Sequence, residues 1–218
     1  MHRTLSDIYE LLLARYGPQG WWPVGGNYFP KTKNVFEVMA GAVLTQNTSW
    51  SNAAKALENL RARGLLNPDS ISGLDMKELT PLIRSSGYYN QKADRLKRIA
   101  AFRLDMPGEG STPPVRRELL SIKGIGPETA DSILLYGFGV PVFVVDAYTK
   151  RLFTRLGLLN GSERYKQIQD LFMRNLFRDP DLYGEYHALI VRHGKETCRK
   201  APLCRGCVLR KKCCFLIP

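Results

Sequence analysis

The sequence predicts an all-α protein. Apolar residues recur at helical spacing, breaks rich in proline and glycine separate the periodic segments, and only one short run looks like a β-strand. Val35, Phe36, Met39, Ala42, Val43 and Gln46 mark one helical face. Val145, Tyr148, Thr149, Leu152, Phe153 and Leu156 mark another. The segments NPDS, DMPGEGSTPP and RDPD interrupt the pattern and read as breaks between helices. The β-like run VPVFVVD is too short and isolated to support a sheet. There is no internal repeat and no low-complexity segment. With helices of roughly eleven to twelve residues and short loops, the chain accommodates about ten of them.

The 218 residues include 32 Lys and Arg against 20 Asp and Glu, a formal net charge of +12. Such an excess points to an anionic partner, most simply nucleic acid. At 44% hydrophobic the chain can bury a core, in one domain or two small ones. No apolar run reaches the roughly 18 residues of a membrane span, so no membrane partner is expected. The beginning, MHRTLSDIYE, has no apolar signal-like stretch, and a cytoplasmic protein is expected.

All five cysteines lie between Cys198 and Cys214. Disulfides would be unusual in a cytosolic chain and would staple only a short tail. Cys198, Cys204, Cys207 and Cys213 read C-x5-C-x2-C-x5-C, and four thiolates so spaced can wrap one metal centre. Zinc and a [4Fe-4S] cluster both accept four cysteines, and spacing does not choose between them. Cys214 adjoins Cys213, and either can serve as the fourth ligand. From Arg192 to Lys212 there are eight Lys or Arg residues and one acid, Glu196. A metal-held loop would present Arg199, Lys200, Arg205, Arg210, Lys211 and Lys212, some of them to phosphates.

The stretch IKGIGPETADS, Ile122 to Ser132, reads as a turn between two helices. Gly124 and Gly126 permit positive φ and close approach of a ligand. Pro127 suits the first position of the next helix. The backbone N–H groups of Gly124, Ile125 and Gly126 then make a phosphate site indifferent to base sequence, although an ordinary helix–helix turn would look the same. Asp146 ends an apolar run and opens an amphipathic helix, where an N-cap is its ordinary role.

Taken together, this hairpin, the Val-Asp about twenty residues later and the cysteines after HALIVRHGKETC resemble the helix-hairpin-helix DNA glycosylases of the endonuclease III family. VLTQNTSWSNAAKAL and SSGYYNQKADRL resemble that family's segments before the hairpin. The likeness runs from about Phe36 to Cys213. It implies two helical domains, residues 28–139 carrying the hairpin and residues 1–27 with 140–218 carrying a [4Fe-4S] cluster. It also implies a double-stranded DNA partner with a damaged base and a monomeric enzyme of base excision repair. By resemblance, Asp146 is the catalytic aspartate, Cys213 the fourth cluster ligand, Gln46 the residue that fills the gap left by a flipped base, and Tyr88 the wedge beside it. One departure concerns the first two cluster cysteines, which the family usually separates by six residues and this chain by five.

The second departure is Glu128. Bifunctional members carry a lysine there, whose amine forms a Schiff base with the sugar. A carboxylate has no nitrogen for that imine, so the resemblance implies a monofunctional glycosylase with water as nucleophile. Glu128 either joins Asp146 in catalysis, where two close carboxylates would raise one pKa, or is a first-turn acid favoured by the helix dipole. Trp21 and Trp22, followed by LTQNT with Gln46 and Asn47, resemble the 3-methyladenine glycosylases of the superfamily. The four residues are therefore candidates for the base pocket, where aromatic faces suit a cationic alkylated purine. The rival readings are a monofunctional glycosylase for uracil or mismatched thymine, and a non-catalytic DNA-binding module. His187 and His193 show no partner pattern and read as structural.

Overall fold

The computed structural model describes residues 2–22, 34–102 and 116–215. Their regular structure is entirely helical, with no strand among them. The eleven α-helices are α1 (His2–Tyr16), α2 (Val35–Leu44), α3 (Trp50–Ala62), α4 (Pro68–Gly73), α5 (Met76–Leu82), α6 (Tyr89–Ala101), α7 (Arg116–Ser121), α8 (Pro127–Ser132), α9 (Ala147–Arg155), α10 (Tyr165–Asn175) and α11 (Pro180–Glu196). No described helix is long and apolar enough to cross a membrane. The expected break DMPGEGSTPP and the expected domain boundary near Tyr28 lie outside the described residues.

The chain forms two compact units, Met1–Trp21 with Pro141–Pro218, and Trp22–Val140. The first is built on α1, α9, α10 and α11. Leu5, Ile8 and Leu12 of α1 recur at helical spacing and are at most 1% exposed. The run VPVFVVD is not a strand but an irregular segment, buried from Val142 to Val145. Its Phe143 stacks on Phe172 at 3.9 Å, with Tyr183, Tyr186 and Phe153 set edge-on around that pair. Burying each such side chain contributes about 1.5–3 kcal/mol. The Tyr186 hydroxyl, enclosed in this apolar core, donates to the Leu5 carbonyl at 2.9 Å.

The second unit is centred on α2, which packs on α3, on α6 and on a π-helical turn over Ile133–Gly137. The sequence marked only one apolar face here, yet every residue of α2 is buried. Nine of its ten residues are apolar or glycine, so it has no polar face to turn to solvent. The exception, Glu37, pairs with Arg61. Gln46 falls beyond the helix end rather than on its face. Asp131 in α8 is fully buried and receives Arg116 of α7 through two bonds of 2.6 and 3.0 Å. That pair braces the hairpin, since removing one partner of a buried ion pair costs about 3–5 kcal/mol.

Candidate nucleic-acid interface and active-site carboxylate

In the second unit the hairpin turn runs from α7 to α8. Gly124 takes φ 94°, and a Cβ there would fall 2.6 to 2.9 Å from the Arg95 side chain. Both backbone and packing therefore require glycine. Gly126 differs: its φ of −93° suits any residue, and a Cβ would meet nothing. Ile125 is anchored, 5% exposed, so only its backbone faces outward among the turn's predicted contacts. Pro127 stands at the start of α8, and Glu128 lies exposed in its first turn.

Gln46 is held to this hairpin. Its amide donates to the Gly124 carbonyl at 3.1 Å and to Thr129 Oγ1 at 2.9 Å, while its Oε1 accepts from Arg95. Asn47 is exposed at φ 52°, and Tyr88 is 64% exposed at φ 47°. Non-glycine residues rarely adopt that conformation.

The adjacent tryptophans belong to different units. Trp22 lies across Gly41 of α2, where a Cβ would approach within 2.7 Å, and contacts Trp50 edge-on and Tyr136 at a tilt. Its indole N–H is enclosed with no acceptor among the described residues. Trp21 sets its edge against His187 at 5.7 Å. The Glu185 carboxylate, two residues earlier on α11, accepts from the backbone N–H groups of Gln19 and Gly20 and so fixes the segment that presents Trp21.

Asp146 caps α9. Its Oδ1 accepts from the Thr149 N–H at 2.7 Å and from Thr149 Oγ1 at 2.9 Å. Its Oδ2 lies 3.7 Å from His187 Nε2, beyond ordinary hydrogen-bond distance. Burial pushes this carboxyl up, but His187 and the two Thr149 donors outweigh it and hold the group below the ordinary carboxylate value. A carboxyl held below its ordinary value is ionised at neutral pH. His187, read from sequence as structural, stands between that carboxylate and Trp21. A histidine four residues after Tyr183 carries no sequence signal of a partner forty residues upstream.

The four cysteines of the C-x5-C-x2-C-x5-C pattern line one pocket, with Leu152, Leu156, His193 and Leu209 among its other walls. Cys214 turns away and donates to the Leu156 carbonyl at 3.6 Å. Burial, and then the other thiols, push the Cys207 and Cys213 thiols up. Among the described residues no three His, Cys, Asp or Glu side chains close around a single ion position. Four thiols lining one space are a donor set that both tetrahedral zinc and a [4Fe-4S] cluster accept. Arg155 of α9 organises the loop, donating to Cys198 Sγ at 3.3 Å, to the Arg199 carbonyl at 2.7 Å and to the Lys200 carbonyl at 3.0 Å. Arg151 adds bonds to the carbonyls of Cys198 and Gly194, both at 2.9 Å. His193, also read as structural, has Nε2 3.7 Å from Cys207 Sγ and Nδ1 2.9 Å from the Tyr16 hydroxyl. Burial lowers its pKa to about 4, which keeps it neutral. Of the predicted phosphate contacts, Lys211 is exposed, whereas Lys212 is paired with Asp7 at 2.8 Å.

Comparison with known proteins agrees with this geometry. A candidate DNA repair glycosylase of Methanocaldococcus jannaschii is 46% identical over 217 residues, covering 96% of this chain and 95% of that protein. Endonuclease III of Sulfolobus acidocaldarius is 35% identical over 86% of this chain and 85% of its own length. The structure of the H. pylori 3-methyladenine DNA glycosylase bound to 1,N6-ethenoadenine superposes with a TM-score of 0.73 at 30% identity, covering 89% of this chain and 97% of that one. The pattern of the HhH-GPD superfamily matches residues 40–177, which span the hairpin and Asp146. The chain belongs to the HhH-GPD superfamily of base excision DNA repair proteins and is a DNA glycosylase of the endonuclease III type.

Proposed function

We propose that the protein is a monofunctional DNA glycosylase that releases alkylated purines such as 3-methyladenine. The observation that carries this reading is the ionised Asp146 carboxylate, held by Thr149 and His187 with Trp21 against the same histidine. A fixed anion stabilises positive charge developing on the sugar as the base departs. It also orients a water for attack. An alkylated purine is already cationic and leaves readily, so it asks less of that carboxylate than a neutral base does. Glu128, at the hairpin position where bifunctional relatives have lysine, offers no amine for an imine. The likeness to the H. pylori 3-methyladenine DNA glycosylase, captured with 1,N6-ethenoadenine, supports the substrate class.

In this reading the Gly124–Gly126 turn binds a phosphate of the damaged strand and the basic tail adds further contacts. Cys198, Cys204, Cys207 and Cys213 would hold a [4Fe-4S] cluster. When bound, the cluster is structural and fixes the basic loop, since four cysteines leave no open coordination position.

The test is base release from duplexes carrying 3-methyladenine, 7-methylguanine, uracil, hypoxanthine or thymine glycol, by the wild type and by Asp146→Asn. Release of the methylated purines, strongly reduced in the variant, is expected. No release of either methylated purine would overturn the substrate assignment, and release of uracil alone would move it to the mismatch class.

A further inference from the structure

Of the four cations of helix α6, Lys92 and Arg95 lie one turn apart on one face. Lys92 is 1% exposed. Its Nζ donates to the Leu44 carbonyl at 2.8 Å and to the Ser86 carbonyl at 2.6 Å. Leu44 is the last residue of α2, immediately before the turn that carries Gln46 and Asn47. Ser86 ends the short 3-10 turn Arg84–Ser86, immediately before Gly87 and Tyr88. One buried ammonium thus ties together the roots of two loops that are 48 and 6 residues away from it in sequence.

A buried charge is expensive, and an apolar side chain would fill the same space at lower cost. What the lysine adds is a fixed relation between two backbone carbonyls. Just beyond each root stands a non-glycine residue in the left-handed region, Asn47 and Tyr88, the two such residues among those described. Arg95 completes the arrangement. It donates to Gln46 Oε1, and its stem packs on Gly124 of the hairpin. One face of α6 therefore contacts both loops and the hairpin turn.

We propose that Lys92 is a positioning residue that locks the Gln46–Asn47 turn and the Gly87–Tyr88 turn at a fixed separation, so that Gln46 and Tyr88 enter the duplex as one wedge. This rests on reading Gln46 and Tyr88 as the residues that insert into DNA. A lysine that merely completed the core would change stability and leave insertion intact.

The experiment uses the full chain and a duplex with a tetrahydrofuran abasic analogue and 2-aminopurine opposite it, whose fluorescence rises when the base unstacks. No base excision is needed, so the outcome is independent of the lesion preference. With saturating wild-type protein the fluorescence is expected to rise, and Lys92→Met is expected to lose about threefold or more of that rise while binding undamaged duplex as the wild type does. Lys92→Arg, which keeps a charged donor, is expected to restore part of it. A full rise in Lys92→Met overturns the proposal. If Lys92→Met fails to fold, the cycle of Gln46→Ala, Tyr88→Ala and the double variant decides in its place. Two side chains acting as one wedge give strongly non-additive losses, and additive losses overturn the proposal. If both single variants match the wild type, the reading of Gln46 and Tyr88 as inserting residues fails, and the proposal fails with it.

Discussion

Asp146 Oδ2 and His187 Nε2 face each other at 3.7 Å, joining the N-terminus of α9 to the middle of α11. This contact and the two Thr149 donors keep the carboxyl below its ordinary value of 3.8 despite burial. A depressed carboxyl contributes stability that is fully present above the unfolded pKa and is lost as pH falls through the folded one. Both that stability and base release are therefore expected to hold steady from neutral pH down to about 4 and to fall below it. In His187→Leu, burial is less opposed, and the acid limb of the pH–rate profile moves to higher pH. Asp146→Asn is expected to lose on the order of 10²-fold in release of a neutral base, and less for a cationic alkylated purine. A pH profile unchanged in His187→Leu would show that the histidine does not set the carboxylate.

The two hairpin glycines separate by substitution. Gly124→Ala forces a side chain to φ 94° against Arg95 and is expected to cost about 1–3 kcal/mol in chemical denaturation. Gly126→Ala meets nothing within the protein and is expected to stay within about 1 kcal/mol of the wild type. Its loss is expected instead as several-fold weaker DNA binding, because the proposed phosphate contact needs close approach of the turn. Equal DNA affinity for Gly126→Ala and the wild type would remove the turn from the interface.

Cys213 and Cys214 are neighbours with opposite surroundings. Cys213 lines the cavity with the other three cysteines, and Cys214 turns to the Leu156 carbonyl beside Gly157. Cys213→Ser is expected to abolish stoichiometric metal, whereas Cys214→Ser retains it. Elemental analysis of the purified proteins reads both outcomes and distinguishes iron from zinc.

Much of this was legible in the sequence, and the omissions have a common physical origin. The helical class, the cap at Asp146 and the clustering of the cysteines rest on short-range pattern, which local chemistry dictates. The β-like run at Val142–Val145 resolved correctly because no second apolar run was available to pair with it. Partners far apart in sequence were not legible. Lys92 looked like one more charge in a polar segment, QKADRLKR, and only tertiary packing on the carbonyls of Leu44 and Ser86 shows it buried. His187 was passed over for the same reason. The full burial of α2 was readable in principle, since a helix with a single charge among ten residues has no face for solvent.

The basic tail offers a contrast in salt dependence. Lys212 is already neutralised by Asp7 at 2.8 Å, whereas Lys211 beside it is exposed. A lysine that meets a phosphate contributes about 0.9 to the slope of log affinity against log salt. Lys211→Ala is expected to lower that slope by about this amount, and Lys212→Ala by less. Asp7→Asn frees Lys212 and is expected to tighten binding at low salt. The exposed Lys212–Asp7 pair is worth at most about 1 kcal/mol, so none of these changes should disturb folding. Titrations at several salt concentrations test all three.

Glu128 is the residue on which the proposed absence of strand cleavage turns. It lies exposed in the first turn of α8, two residues after Gly126, so an altered side chain there has room. An amine at this position can attack the anomeric carbon of the sugar, displace the base and leave an imine that borohydride reduces to a stable secondary amine. The wild type is expected to give no such adduct with lesion-bearing duplex. Glu128→Lys is expected to give one, visible as a covalent protein–DNA band, together with strand cleavage when borohydride is omitted. Glu128→Gln supplies the control: it removes the charge without adding a nucleophilic amine, and it should trap nothing. A strong adduct in the wild type would place the nucleophile elsewhere, with Lys123 and Lys150 the nearest lysines in sequence to test. In that case the carboxylate at position 128 would no longer argue against lyase chemistry.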